Sequence, residues 1–256
     1  MKKSHTSTKK KKILTVTRLD NYLVENKFTD SRNKAQALVK NGLVEVNDKV
    51  ITKSSFKVDD CDEVKVGEHD DYVSRGAHKL KLFLEELNLD VKDMVCLDIG
   101  SSTGGFTQVL LENDVAEVSA VDVGRDQLHK SIKEDSRVHS YESCDIRKFQ
   151  SEKKFDLVVS DVSFISLLHI LDDVDKLASK NIILLFKPQF EVGREAKRDN
   201  HGVVLDEKVI ETAMIRFEDA CELKGWNLVK KSPSKLTGKE GNLEYCYFWQ
   251  FSLPQA

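Results

Sequence analysis

The sequence predicts an α/β protein in two parts: a small α+β unit, then an open sheet with helices on both faces. Three observations predict it. Two short helical patterns and several tight strand-like runs fill residues 13–67. From about residue 73 to the end at 256, strand and helix patterns alternate. Between them lies the polar run GEHDDY, with residues 68–72 taken as a linker. A chain of 256 residues has room for one or two domains, and no internal repeat is visible.

The formal charge is −3, but residues 1–12, MKKSHTSTKKKK, carry six lysines and no acid. The rest of the chain therefore sums to −9. A lysine-rich, disordered arm on an acidic chain points to nucleic acid, or serves only as a solubilising tail. It lacks an apolar core and does not read as a secretory signal. No stretch approaches the ~18 consecutive apolar residues of a membrane span. Five scattered cysteines without a CxxC pair read as free thiols in a reducing cytoplasm, and no metal site is expected.

In the small unit, Leu19, Tyr22 and Leu23 share one helical face and Phe28 closes the turn. Thr29, Asp30 or Ser31 is placed to cap a second helix through Ala35, Leu38 and Val39, which stops at Asn41-Gly42. LVEV and KVI flank Asn47-Asp48 as a hairpin, and DEVKV supplies a last strand. Arg18, Arg32, Lys34 and Lys40 make the helices basic, a surface suited to RNA phosphates. The RLD start, the SR-x-x-A-x-x-L-V-x-x-G helix and the V-x-V-N hairpin resemble the S4-like RNA-binding domain. That resemblance implies RNA contact by this unit.

The larger part opens with a helical segment carrying Arg75 and Lys79, then the buried strand MVCLDIG. Its acid, Asp98, and the small-residue turn GSSTGG let backbone approach a ligand, with Gly100, Gly104 and Gly105 at the close points. The turn is neither G-x-G-x-x-G nor a P-loop. EVSAVDVG ends a second strand at Asp122, CDIR puts Asp145 at the tip of a third, and FDLVVSDVSF ends a fourth at Asp161. Acids at the C-terminal rim of such a sheet suit an adenosine-type cofactor. NAD and S-adenosylmethionine both satisfy that pattern. Lys187 follows the apolar run IILLF, a partly desolvated position that suits proton handling, or a lysine snorkelling from a strand end. Glu244 lies among apolar and aromatic residues, unusual unless paired or functional.

The blocks YVSRGAHKL, LDIGSSTGGFT, DVSFIS, KPQFE and GNLE, in that order behind the S4-like unit, resemble the TlyA (haemolysin A) family with its FtsJ-like methyltransferase domain. The resemblance implies a Rossmann-like class I methyltransferase sheet over residues 73–256. It implies S-adenosylmethionine as cofactor, with Gly100, Ser102, Gly104, Gly105 and Phe106 at its methionine end. Asp122 would take the ribose and Asp145 the adenine. It implies methyl transfer to a ribose 2′-hydroxyl, of cytidine, in ribosomal RNA of a subunit. Lys79, Asp161, Lys187 and Glu244 would be the catalytic set. Gln108 stands where relatives have an acid and receives no role. Arg194, Lys197 and Arg198, after KPQFE, are read as phosphate contacts, and a monomer is expected. Against this stand a non-catalytic RNA-binding assembly factor, a membrane-active haemolysin, and an NAD-linked dehydrogenase.

Overall fold

A computed structural model describes residues 16–40, 42–59, 61–67 and 72–251. The expected basic arm lies outside the described residues, as does the linker apart from Tyr72. The chain divides into two compact units, the second beginning at Tyr72.

The first unit runs β1 (Thr17–Arg18), α1 (Leu19–Glu25), α2 (Arg32–Lys40), β2 (Val44–Val46), β3 (Lys49–Val50), β4 (Lys57–Val58) and β5 (Val64–Val66). Leu19 and Leu23 of α1 pack with Ala35, Leu38 and Val39 of α2 over Val44, Val46 and Val58. Of the three candidate caps, Ser31 acts: its Oγ accepts from the Lys34 N–H at 3.3 Å. Asn47 and Asp48 both take positive φ, 50° and 61°, as a two-residue primed turn requires. β5 pairs with the free edge of β2, completing the expected three strands. β1 and β4 were not expected; they pair with each other, and at two residues each they are too short to show a period.

The second unit runs α3 (Arg75–Leu87), β6 (Val95–Ile99), α4 (Gly105–Glu112), β7 (Glu117–Val121), α5 (Lys130–Lys133), β8 (Val138–Tyr141), β9 (Phe155–Ser160), α6 (Leu171–Leu177), β10 (Ala178–Phe186), α7 (Pro188–Glu191), α8 (Glu207–Glu222), β11 (Trp226–Pro233) and β12 (Tyr245–Phe251). Seven strands form one sheet in the order β11-β12-β10-β9-β6-β7-β8. β6 to β10 are mutually parallel where they pair, and β12 is antiparallel to both its neighbours.

Period-two alternation explains how both faces are covered. Leu97, Ile99, Val158, Ile182, Leu184 and Phe186 point to one core, shared with α6 and α8. Cys96, Leu157, Val159, Ile183 and Leu185 point to the other, shared with α3 and α4. A strand buried on both faces must be apolar at nearly every position, which is why these runs read as continuous. Strand order reverses at β6, whose neighbours are β7 and β9. Ligands of such sheets bind in the crevice at that reversal, beyond the strands' C-terminal ends. Among the described residues no helix is long and apolar enough to cross a membrane.

Candidate active site

A cavity of about 530 Å³ opens at the reversal, lined by the ends of β6, β7 and β9 and the segment after β8. Of the expected cofactor residues, Gly100, Ser102, Asp122 and Asp145 line it, together with Asp161. Gly100 has φ 80°, and a Cβ there would lie 3.1 Å from Val162. Glycine is therefore needed for the first loop to pass the fourth. The Asp122 carboxylate accepts from the backbone N–H of Ser102 at 2.8 Å and of Gly124 at 2.6 Å. One acid thus ties two loops of the rim together.

Asp145 does not stand at a strand tip. The third strand, β8, ends at Tyr141, and Asp145 instead caps a single 3₁₀ turn, Ile146–Lys148. Ser143 has φ 55°, which turns the chain, and the Asp145 carboxylate captures the Arg147 N–H at 3.0 Å. The short polar side chain competes with the strand ladder for its own backbone. Arg147 also donates through Nε at 2.9 Å and Nη2 at 2.5 Å, and this contact holds the carboxyl down at about 2. Arg147 lines the cavity as well and was not expected there.

Asp98, Gly104, Gly105 and Phe106 lie behind the loop and do not line the cavity. Asp98 is fully buried and accepts from Thr107 N at 3.0 Å and Thr107 Oγ1 at 2.6 Å. Burial pushes its carboxyl up to about 7. A Cβ on Gly105 would meet Ser74 Oγ at 2.0 Å, so this glycine serves the packing of the α3 entry on α4. Phe106 is buried in the core beneath α3. Gln108, given no role, accepts from Val73 N at 2.9 Å and fastens that same entry.

The four expected catalytic residues come together as two ion pairs. Lys187 follows directly on β10 and precedes Pro188, which starts α7. Its Nζ lies 2.6 Å from Asp161 Oδ1 and donates to Ser163 Oγ at 2.8 Å and the Asp161 carbonyl at 3.3 Å. Lys79, in the middle of α3, donates to Glu244 Oε2 at 2.5 Å. Gln189 Nε2 reaches the other Glu244 oxygen at 3.4 Å. Gly76 lies one turn before Lys79, and a Cβ there would stand 2.9 Å from Asp161 Oδ2. Helix α3, which carries Lys79, therefore passes close against Asp161 of the other pair at Gly76.

Four residues of this region were not read from the sequence as part of it: Ser163, Phe164, Gln189 and Glu191. Phe164 has φ 66° and is 91% exposed, its ring 5.2 Å from that of Phe190. Buried Glu191 accepts from Ser166 Oγ at 2.6 Å and Leu167 N at 2.8 Å. Lys187, Phe190 and Glu191, spaced i, i+3 and i+4, therefore all hold the segment 161–167. The motif KPQFE carried the signal; the partner segment is distant in sequence.

Of the three basic residues after KPQFE, Arg198 is turned inward. Its guanidinium donates to the carbonyls of Ala196 at 2.8 Å, Gly193 at 3.2 Å and Arg194 at 3.3 Å. A side chain with five donors in a fork can fold a loop around itself, whereas Arg194 and Lys197 are exposed. In the first unit, Arg18 and Arg32 both pair with Asp20, Lys34 pairs with Asp30 at 3.0 Å, and Lys40 is exposed. Arg75 is exposed at the start of α3.

This sheet order, with its reversed last strand and acid-lined crevice, defines a Rossmann-like class I methyltransferase. Residues 72–251 match the FtsJ-like methyltransferase model and residues 17–64 the S4 domain model. The 23S rRNA (cytidine-2′-O)-methyltransferase TlyA of Campylobacter jejuni is 45% identical, over 89% of this chain and 97% of its own length. The 16S/23S rRNA (cytidine-2′-O)-methyltransferase TlyA of Mycobacterium tuberculosis is 38% identical, over 91% and 88%. A solved structure described as a hemolysin of Streptococcus thermophilus superposes with TM-score 0.70 at 35% identity, over 93% of this chain and 89% of that one. The chain belongs to the TlyA (haemolysin A) family, an S4 domain followed by an FtsJ-like methyltransferase domain.

Proposed function

We propose that this protein transfers the methyl group of S-adenosylmethionine to a ribose 2′-hydroxyl, that of cytidine, in ribosomal RNA. The observation that carries the reading is the pairing of buried Lys187 with half-buried Asp161, which lines the rim cavity. The cavity fits the cofactor in size and chemistry. About 530 Å³ suits a nucleoside-sized ligand. Ile99, Val121 and Ile146 give apolar walls, and Asp122 and Asp145 give the acceptors for ribose hydroxyls and an adenine amino group. Gly100 and Ser102 would meet the methionine end, with Gly104, Gly105, Phe106 and Asp98 supporting that loop from behind.

When bound, the cofactor supplies an electrophilic methyl group on a sulfonium. The 2′-hydroxyl must then be held in line with it and helped to lose its proton as the oxygen–carbon bond forms. Lys187 would steer that oxygen, its direction fixed by Asp161 and Ser163. Lys79 and Glu244 would orient the ribose, with Gln189 donating to Glu244. The exposed face of Phe164 beside this group suits a splayed-out base, which stacks on aromatic rings. Arg18, Arg32, Lys34 and Lys40 of the first unit, with Arg75, would take RNA phosphates.

On this reading the domains divide as 13–67 and 73–256, joined by 68–72 behind the arm 1–12. The enzyme works as a monomer in the cytoplasm, where ribosomal subunits are assembled. The test is transfer of labelled methyl from S-adenosylmethionine to isolated ribosomal subunits, then nuclease digestion and nucleoside analysis. The expected product is 2′-O-methylcytidine. Protein that binds the cofactor but labels neither subunit would overturn the reading.

A further inference from the structure

One acid of the first unit has an arrangement that RNA binding alone does not explain. Asp20, in the first turn of α1, is fully buried. Its Oδ1 accepts from Arg18 Nε at 2.9 Å and Asn21 N at 3.1 Å. Its Oδ2 accepts from Arg18 Nη2 at 2.9 Å, Arg32 Nε at 3.0 Å and Gln36 Nε2 at 2.9 Å. These contacts, the Arg18 hydrogen bond first, hold the carboxyl well below the usual carboxylate range. Arg18 belongs to β1 and Arg32 opens α2, so only Asp20 brings the two guanidinium groups onto one carboxylate. Their side chains stay 35% and 54% exposed. No hydrogen bond among the described residues uses Nη1 of Arg18 or either Nη of Arg32.

We propose that Asp20 is a positioning residue that sets Arg18 and Arg32 as one rigid fork for an RNA backbone phosphate. The inference rests on the reading of this unit as an RNA contact. Coulomb attraction alone makes the opposite prediction: Asp20 removes a positive charge from a surface meant for a polyanion, so losing it should tighten binding. The fork argument says that two arginines held in place lose less side-chain freedom on binding, and that planar guanidinium donors match phosphate oxygens when aimed.

The experiment measures binding of the full-length chain to a fluorescein-labelled 23S ribosomal RNA transcript at fixed salt. Asp20→Asn keeps the size of the side chain and removes the charge. Its expected effect is binding weaker by about tenfold, the cost of re-ordering two long side chains. On an Arg18→Ala/Arg32→Ala background the same substitution should cause no loss, or a slight gain, because Asp20 is then only a negative charge. Asp20→Asn binding as tightly as wild type, or tighter, overturns the inference. So does an equal loss on the double-alanine background, which would make Asp20 a folding residue. If Asp20→Asn does not fold, Arg32→Lys tests the same point: charge is kept and the fork is lost. Weaker binding supports the inference and unchanged binding overturns it. Wild type that does not bind the transcript overturns the RNA reading of the unit itself.

Discussion

Among the described residues, the Asp20 cluster of the first unit and the Lys79–Glu244 and Lys187–Asp161 cluster of the second are built in different ways. In the first unit two arginines share one buried acid, so a positive charge is left over and both guanidinium groups reach solvent. In the second, each lysine has its own acid, and Lys79, Glu244 and Lys187 are all less than 10% exposed. On the proposal above, the first cluster is completed by an anion from outside. The second is balanced, and its attractions fix the direction of a lysine paired with an acid of the cavity lining. Burial makes the difference: an unpaired charge is tolerable where water can reach it and costly where it cannot.

The strongest test of that contrast is Lys187→Ala. Removing a group that directs proton loss should lower methyl transfer by about 10²–10⁴-fold. RNA binding and cofactor binding should remain near wild type. Activity within threefold of wild type would remove Lys187 from the mechanism.

Lys79→Met is expected to act mainly on stability. It leaves Glu244 buried without its cation, a loss of about 3–5 kcal/mol, read from denaturant unfolding. Lys79→Met/Glu244→Leu should recover much of that stability while methyl transfer stays low. A double variant no more stable than the single one would show that burial of the lone charge is not the cause.

Asp98 gives a pH-dependent effect of smaller size. Burial raises its carboxyl to about 7, above its ordinary value. A group whose folded value is raised contributes stability below its unfolded value, near 4, and loses it as pH rises through about 7. Asp98→Asn cannot ionise, so its stability relative to wild type should improve between pH 4 and 7. Parallel unfolding profiles across that range would contradict the assignment. Least of all, Arg32→Ala should weaken RNA binding by severalfold and reduce the salt slope by about one phosphate contact. An unchanged slope would move the contact elsewhere.

Much of this was legible in the chain. The buried strands announced themselves because a strand covered on both faces must be apolar throughout. Asn47-Asp48 announced a hairpin because few residue pairs accept two positive φ angles. Lys187 and Glu244 stood out because charge in or beside an apolar run needs a reason, and Asp161 as an acid after a buried strand; Lys79 joined them through the family resemblance. Asp145 misled because CDIR alternates like a strand, while the side chain itself captures the turn. Arg198 misled because composition says nothing about which way a guanidinium points.

The sequence by itself determined the buried strands, the hairpin, the loop glycine at 100 and the identity of the charged residues, since each depends on local backbone geometry or on a residue's own polarity. Only the tertiary structure decided who pairs with whom. Lys79 and Glu244 are 165 positions apart, and Arg32 and Asp20 are 12. Those partnerships follow from the order of strands in a sheet and the docking of helices upon it. No local pattern encodes them, because they are properties of the folded whole.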